Sequence, residues 1–262
     1  IGADPMNDFS ISFEYNMQNN TENDILQLPE KIAIEKGIQI VICIDEFQQI
    51  SDFEDSKTFQ KKLRSVWQLQ QHVSYCLFGS KKHLMNELFE KKNLPFYKFG
   101  DAIYLTKIET KYWIEYICKR FENTGKHISP ELAEEICRLV DNHSSYVQQL
   151  SWLLWIRTIN TATTEQLTYA LEDLLDQNNI LFQSETENLS AYQMNFLKAI
   201  VDGIHTKFSS KEVISKYNLG TSANIVRLKN ALLQKELIET NGKEIVLADP
   251  VFEVWFKKEM LY

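Results

Sequence analysis

Hydrophobic and polar positions follow different patterns in successive parts of the chain, and each pattern predicts a different kind of structure. Three short apolar runs, rich in β-branched or aromatic residues, begin at Ile40, Val73 and Ala102, and we predict that each forms a strand of one parallel sheet. The run Ile40–Ile44 is unbroken, which is typical of a strand buried on both faces. Amphipathic spacing predicts helices between the runs, including one over Leu28–Lys36 with a proline in its first turn. The first part therefore predicts an α/β core.

From residue 109 onward the apolar residues recur at helical spacing. Ser129-Pro130-Glu131 is a strong start signal, because it combines an N-cap serine, a proline at the first helical position and an acid in the first turn. We predict four helices, near residues 111–123, 130–140, 143–158 and 164–178. The mostly polar stretch 177–188 then predicts a linker.

The last part, residues 189–262, has the pattern of a winged helix. We predict helices over 191–201 and 222–234, with a short helix between them that is opened by a capping box at Ser209-Ser210-Lys211-Glu212. Asn241-Gly242, between two short apolar runs, predicts a β-hairpin that would form the wing. An aromatic tail follows and is expected to pack back on this domain; it contains Phe252, Trp255 and Phe256.

Composition narrows the function classes without choosing among them. The 262 residues are 44% hydrophobic and 24% charged, as in ordinary globular proteins. The net charge of −8 argues against a general binder of polyanions. Residues 190–262 carry ten Lys/Arg and eight Asp/Glu, so the acidic excess lies in the rest of the chain. No apolar stretch is long enough for a membrane span and no signal peptide is apparent, so we expect a cytoplasmic protein without membrane contact.

Four cysteines, Cys43, Cys76, Cys118 and Cys137, are spread without metal-ligand spacing. Because Cys43 and Cys76 fall in predicted buried strands, we expect free, buried thiols, as in a reducing compartment. The five histidines are also scattered, and we predict no zinc site.

Two acids, Asp45 and Glu46, directly follow the Ile40–Ile44 strand. Open α/β sheets bind ligands at the carboxyl ends of their strands. At that place Asp45 would suit Mg²⁺, which prefers oxygen ligands, and Glu46 would suit a base that orients or deprotonates a water. The alternative is a strand that ends in two solvated acids.

Ile42-Cys43-Ile44-Asp45-Glu46-Phe47-Gln48 resembles the Walker B segment of the archaeal-type ATPase family, a branch of the AAA+ and STAND P-loop NTPases. The resemblance continues over nearly the whole chain. It implies a partial P-loop core over 1–108, a helical lid over 109–180 and a winged-helix domain over 189–262. It also implies that ATP and Mg²⁺ are the cofactors, with Asp45 serving the metal and Glu46 the water.

Three further residues acquire roles through this resemblance. Ser80 follows the strand next to Walker B and would contact the γ-phosphate or the water, although it could equally be the N-cap of the helix 81–91. Lys98 stands where the family usually carries an arginine finger, and a lysine lacks the bidentate fork. His143, at the start of a lid helix, could approach a nucleotide base, although a lone histidine is more often structural.

The family's phosphate loop is absent from this sequence. Gly125-Lys126 and Gly242-Lys243 are each followed by the wrong residue for a Gly-x-x-x-x-Gly-Lys-Ser/Thr motif. Upstream of Walker B, residues 9–15 alternate apolar and polar and predict a half-buried strand. We therefore expect an amino-terminally truncated or incompletely recorded ATPase that binds ATP weakly by itself.

Two function classes follow. The first is the carboxyl-terminal portion of an ATP-binding ATPase that hydrolyses ATP only with an upstream phosphate loop. The second is a non-enzymatic winged-helix module on a degenerate NTPase scaffold, binding DNA weakly or a protein, with self-association through the lid and winged helix also open. The candidate DNA contacts are Asn224, Arg227, Lys229 and Lys243, a thin basic set for DNA binding.

Overall fold

The computed structural model describes residues 22–260, and the chain divides after Tyr104 into two compact units. The strand predicted at residues 9–15 lies outside the described residues. Within 22–260, no helix combines the length and the apolar character needed to cross a membrane.

The first unit contains two parallel strands and the helices around them. In chain order its elements are α1 (Glu22–Lys36), β1 (Ile40–Ile44), a 3-10 helix (Phe47–Asp52), α2 (Ser56–Trp67), β2 (Val73–Leu77) and α3 (Lys82–Glu90). β1 and β2 pair in parallel, with Ile40 opposite Val73 and Ile44 opposite Leu77. This arrangement confirms two of the three predicted sheet strands.

The third predicted strand, Ala102–Thr106, is wrong, because residues 101–109 form neither helix nor strand. Ile103 and Leu105 are 85% and 94% exposed. In the described part of the chain the sheet consists of β1 and β2. A strand exists only through hydrogen bonds to a neighbour, so strand propensity alone does not order this segment.

The prediction that β1 is buried on both faces is also wrong. Burial alternates along β1 and along β2, and Val41 is 66% exposed. Cys43 and Cys76 are consequently exposed rather than buried. An unbroken apolar run does not reveal whether helices cover both faces of the sheet. The prediction of burial on both faces therefore failed.

Helix α1 begins earlier than predicted, at Glu22, and contains Pro29 in its interior rather than in its first turn. Proline removes one intrahelical hydrogen bond, so this position weakens the helix. Tertiary contacts compensate: Ala33 is fully buried, and the Glu30 carboxylate accepts hydrogen bonds from the backbone of Gln71 and His72.

An aromatic cluster forms the core of the first unit. Its buried members are Phe47, Ile50, Leu63, Val66, Trp67, Leu88 and Phe96. Phe47 and Phe96 meet edge to face at 5.3 Å between ring centroids, a favoured aromatic geometry. Because Phe47 directly follows Glu46, this core anchors the chain immediately beyond the two acids.

The second unit is largely helical. Its elements are α4 (Thr110–Glu122), α5 (Pro130–Leu139), α6 (Ser144–Arg157), α7 (Thr164–Glu187), α8 (Ala191–Val201), α9 (Lys211–Lys216), α10 (Ser222–Gln234), β3 (Ile238–Asn241), β4 (Glu244–Leu247) and α11 (Pro250–Met260). One continuous buried cluster runs from Trp113 to Phe256, so helices α4 to α7 and the winged helix share a core.

The predicted linker at 177–188 is wrong, because α7 continues through it to Glu187. The few residues of this stretch that face inward are buried well enough to stabilise the helix. Phe182 is buried against Phe252 and Trp255, and the Trp255 Nε1 donates to the Asn179 Oδ1 at 2.8 Å. These contacts also confirm that the aromatic tail packs back on the preceding helices.

Several short sequence signals in residues 189–262 predicted the helix bounds and the turn of the hairpin. α8 and α10 have the predicted bounds, and the hairpin turns at Asn241-Gly242. The predicted capping box at residues 209–212 is wrong by one residue, because the N-cap of α9 is Ser210, which accepts from the backbone N–H of Val213.

Candidate functional site

Glu46 and Ser80, two of the predicted site residues, lie together at the carboxyl ends of the paired strands. The pairing continues one step past β1 and β2: the Phe78 N–H donates to the Ile44 carbonyl at 3.1 Å, and the Phe47 N–H donates to the Phe78 carbonyl at 3.0 Å. These bonds place Glu46, just after β1, beside Ser80, just after β2. The Ser80 Oγ donates to the Glu46 Oε2 at 3.1 Å.

Glu46 occupies a backbone conformation that is uncommon for a residue with a side chain. Its φ of 48° and ψ of 41° are left-handed, and it precedes the buried Phe47. The Asp45 Oδ1 accepts from the Glu46 N–H at 2.8 Å, which satisfies that donor in the turn. Such left-handed residues cost free energy and persist where the surroundings over-determine them, often at functional sites.

The Glu46 carboxylate receives two donors on the same oxygen. Gln48 Nε2 and Ser80 Oγ both donate to Oε2. The hydrogen bond from Gln48, then that from Ser80, lowers the pKa of Glu46 below its usual value, so the group stays ionised at neutral pH. An ionised carboxylate with its other oxygen facing away from these donors can accept a hydrogen bond from a water.

Gln48 and Gly79 complete the site and were missed as a pair by the sequence reasoning. Gln48 is only 2% exposed, and a Cβ added at Gly79 would lie 1.9 Å from its Oε1. The close approach of the Gln48 carboxamide to the backbone therefore requires glycine at position 79. No pattern in the sequence links these two residues, which are 31 positions apart and follow different strands.

The alternative role of Ser80 as a helix N-cap is wrong. α3 begins at Lys82, and its N-cap position is Lys81, with no capping hydrogen bond from a side chain. The Ser80 hydroxyl is instead committed to Glu46. The Ser80 hydroxyl therefore contacts the Glu46 carboxylate and does not cap α3.

The residues at this strand edge fit a Mg²⁺ ion. Their donors are hard oxygens: the exposed Asp45 carboxylate, the Glu46 carboxylate and the Ser80 hydroxyl. In addition, the buried Gln48 Oε1 has no hydrogen-bond partner among the described residues. The set resembles the sparse protein ligation of Mg²⁺ in phosphate-binding sites, where waters and phosphates complete the coordination.

Lys98 lies on an exposed turn of the first unit with a left-handed φ of 51°. Its ammonium lies 5.6 Å from the centroid of the Tyr97 ring. Arg64 holds this segment: its guanidinium donates to the carbonyls of Pro95 and Tyr97 and lies over Phe99. Arg64 is thus a positioning residue for the turn that carries Lys98.

His143 belongs to the second unit, at the N-cap position of α6. Its ring lies 4.7 Å from that of Tyr146, and its buried Nδ1 has no partner among the described residues. It lines a cavity of about 280 Å³ together with Glu185, Lys235, Asp249 and Phe252. His143 therefore lies where α6 and α7 meet the winged helix.

The four DNA candidates are not equivalent. Asn224 uses its amide to donate to the Leu219 carbonyl at 3.0 Å, which stabilises the turn before α10. Arg227 and Lys243 are exposed, and Lys229 is half-buried. The exposed residues of α10 form its outward face, and they are Ser222, Ala223, Val226, Arg227, Asn230 and Gln234.

Comparison with known proteins supports the fold. A family model described as a probable winged helix domain matches residues 180–258. Among solved structures, a Walker-type ATPase of Pyrococcus abyssi is similar over 94% of this chain and 72% of its own, with a TM-score of 0.72 at 16% identity. No curated protein matches the sequence.

Two other solved structures are more distant. The ORC2 protein of Aeropyrum pernix, in ADPNP and ADP complexes, is 13% identical with a TM-score of 0.47, over 95% of this chain and 73% of its own. The Holliday junction branch migration motor RuvB of Thermotoga maritima is 13% identical with a TM-score of 0.43, over 93% and 76%. Scores below 0.5 support no argument about this chain.

The chain thus has the fold of a Walker-type P-loop ATPase, in part, with a winged helix at its carboxyl end. This confirms the predicted fold class and, at the level of fold, the resemblance to the archaeal-type ATPases.

Proposed function

We propose that the chain supplies the carboxyl-terminal portion of an ATP-binding ATPase, whose hydrolysis depends on a phosphate loop upstream of Walker B. The observation that supports this most is the Glu46 carboxylate held by Ser80 and Gln48 at the ends of two parallel strands. A pair of merely solvated acids needs no such buried carboxamide and no strained backbone.

Each residue has a distinct role in this proposal. Asp45 would hold Mg²⁺, which neutralises charge on the phosphates when bound. Glu46 would orient the attacking water; its lowered pKa suits positioning more than proton abstraction. Ser80 would lie between this acid and the γ-phosphate, and Lys98 would contribute positive charge from its turn.

The phosphate-loop requirement explains why the chain alone should bind ATP weakly. The loop supplies the backbone N–H groups that cradle the phosphates, and the sequence contains no such motif. The natural open reading frame therefore discriminates the two function classes: an upstream Gly-Lys-Ser/Thr motif supports an ATPase.

In a version that contains such a loop, we expect Glu46→Gln to keep nucleotide binding and to lower turnover by about 10²–10⁴-fold, because glutamine keeps the shape but not the charge. Binding would be measured by calorimetry with Mg-ATP, and turnover by phosphate release. Glu54→Gln, an exposed acid of the same unit, is the matched control. Equal turnover in the parent and Glu46→Gln would leave Glu46 a structural role only.

A second candidate function is partner binding by the winged helix. The outward face of α10 carries one positive charge, and its Val226 is 62% exposed. A weakly charged helix face with an exposed valine suits a protein surface better than a DNA phosphate backbone. Tight, salt-insensitive binding of the whole chain to a DNA duplex would contradict this preference.

A further inference from the structure

Two cysteines lie side by side on a face of the first unit's sheet that is exposed in the described part of the chain, residues 22–260. Cys43 in β1 and Cys76 in β2 are register partners in the parallel pairing. Both are exposed, and the alternating burial of the two strands places both side chains on the same face. The spacing of hydrogen-bonded strands, about 4.8 Å, sets the distance between their backbones.

This spacing is compatible with a covalent bond between the two thiols. Disulfides usually join Cα atoms about 4.4–6.8 Å apart, with Cβ vectors that do not diverge. Register partners on one face meet both conditions to within a small adjustment of the strands. We propose that Cys43 and Cys76 form a redox-active dithiol that closes to a cross-strand disulfide by exchange with a low-molecular-weight disulfide such as glutathione disulfide.

The exchange balances without any metal or enzyme. A Cys43 thiolate attacks one sulfur of glutathione disulfide, forming a protein–glutathione mixed disulfide and releasing one glutathione thiolate. The Cys76 thiolate then attacks the Cys43 sulfur and releases the second glutathione. The protein loses two protons and two electrons, and glutathione disulfide is reduced to two glutathione thiols. Either cysteine can make the first attack.

The other two cysteines provide an internal contrast. Burial, with a smaller effect of Glu122, raises the pKa of the Cys118 thiol, and burial raises the pKa of Cys137 to about 11. Cys137 is also fully buried. Since the thiolate is the nucleophile, these two thiols should exchange far more slowly than the exposed pair.

The proposed disulfide would lie close to the candidate site at the carboxyl ends of β1 and β2. Cys43 precedes Asp45 by two residues, and Cys76 precedes Ser80 by four. A bond between them would tie together the two strands that place Glu46 beside Ser80. The proposal itself does not depend on nucleotide binding, because it rests on the register and exposure of the thiols.

The test is to incubate the native whole chain with glutathione disulfide, unfold it, label the remaining thiols with a maleimide and measure the intact mass. We expect labelling to fall from four thiols to two, with no retained glutathione and recovery of all four on reduction by dithiothreitol. Peptide mapping should find a linked pair containing Cys43 and Cys76, with Cys118 and Cys137 labelled. Non-reducing electrophoresis should show a monomer.

Variants sharpen the result. Cys43→Ser should leave a single glutathione on Cys76, and Cys76→Ser a single glutathione on Cys43, because the resolving thiol is gone. Cys118→Ser should still form the internal bond. Glutathione retained on both Cys43 and Cys76 of the parent, a bond between two chains, or four unreacted thiols would each overturn the proposal.

Discussion

Gly79→Ala tests whether the buried Gln48 carboxamide really holds Glu46. The added Cβ would lie 1.9 Å from the Gln48 Oε1, 3.0 Å from its Cδ and 3.2 Å from the Met85 Sδ. Contacts this short force something to move. Because Gln48 is almost fully buried, its carboxamide has little free space, and we expect it to leave its place beside Glu46.

The magnitude follows from what is lost. A hydrogen bond to a charged group contributes about 1.5–3 kcal/mol, and overpacking a tight site costs about 1–3 kcal/mol. If Gln48 moves away, the clash is relieved but the hydrogen bond to Glu46 is lost. The overpacking cost and the hydrogen-bond cost are therefore alternatives and are not added together. We expect the free energy of opening of the β1–β2 strand ends to fall by about 2 kcal/mol, which is about a 30-fold larger open population.

Hydrogen exchange measured by mass spectrometry suits this chain, since it reports on peptides of the first unit separately from the second. Peptides that cover β1 and the following 3-10 helix, and β2, should exchange faster in Gly79→Ala. Gly100→Ala is the matched control, because a Cβ there meets no atom within 4 Å and the residue has no positive φ. It should leave exchange unchanged or slightly slower.

A double-mutant cycle separates the clash from other effects. If Gln48 is the group displaced, Gly79→Ala should cost much less in a Gln48→Ala background, where only the Met85 contact remains. Equal exchange in Gly79→Ala and Gly100→Ala would refute the reasoning, because it would mean that Gln48 moves aside freely and does not hold Glu46.

Two predictions concern the second unit. Tyr146→Phe should lower its free energy of unfolding by about 1.5–3 kcal/mol in urea titrations, because it removes the donor to the Asp249 Oδ2 at 2.5 Å, whereas exposed Tyr112→Phe should change little. Burial, then the Asp249 charge, raises the pKa of Glu185 above its usual 4.5, so ionised Glu185 costs stability that is regained at low pH. Glu185→Gln should therefore raise the unit's melting temperature at pH 7, with the gain vanishing below pH 4.5; an equal gain at both pH values would contradict this.

The sequence was most informative where structure depends on neighbouring residues. Ser129 accepts from the Leu132 N–H as the cap signal predicted, and α10 has the predicted bounds. Caps, glycine turns and helical periodicity act over a few residues, so they can be identified without knowledge of the fold. The strand β1, which the apolar run Ile40–Ile44 predicted, belongs to this group.

The sequence was misleading where tertiary contacts decide the outcome. Residues 102–106 have strand-forming composition but no strand beside them, and residues 177–188 are polar yet form a helix anchored by Phe182. A strand needs a partner, and a helix needs only one well-buried face. Neither condition can be derived from local composition.

The contrast is sharpest at Glu46. Two acids after a strand are compatible with a solvated turn or with a working site, and the local sequence does not distinguish the two. The structure adds contacts around Glu46: the nearby Gln48 and the sequence-distant Ser80 both donate to Oε2, and Gly79 gives the Gln48 carboxamide its space. This arrangement holds the carboxylate ionised and in one orientation, as a water-positioning residue requires. The pattern of the chain could therefore identify the candidate acid, but only the packing around it supports the role that we propose for it.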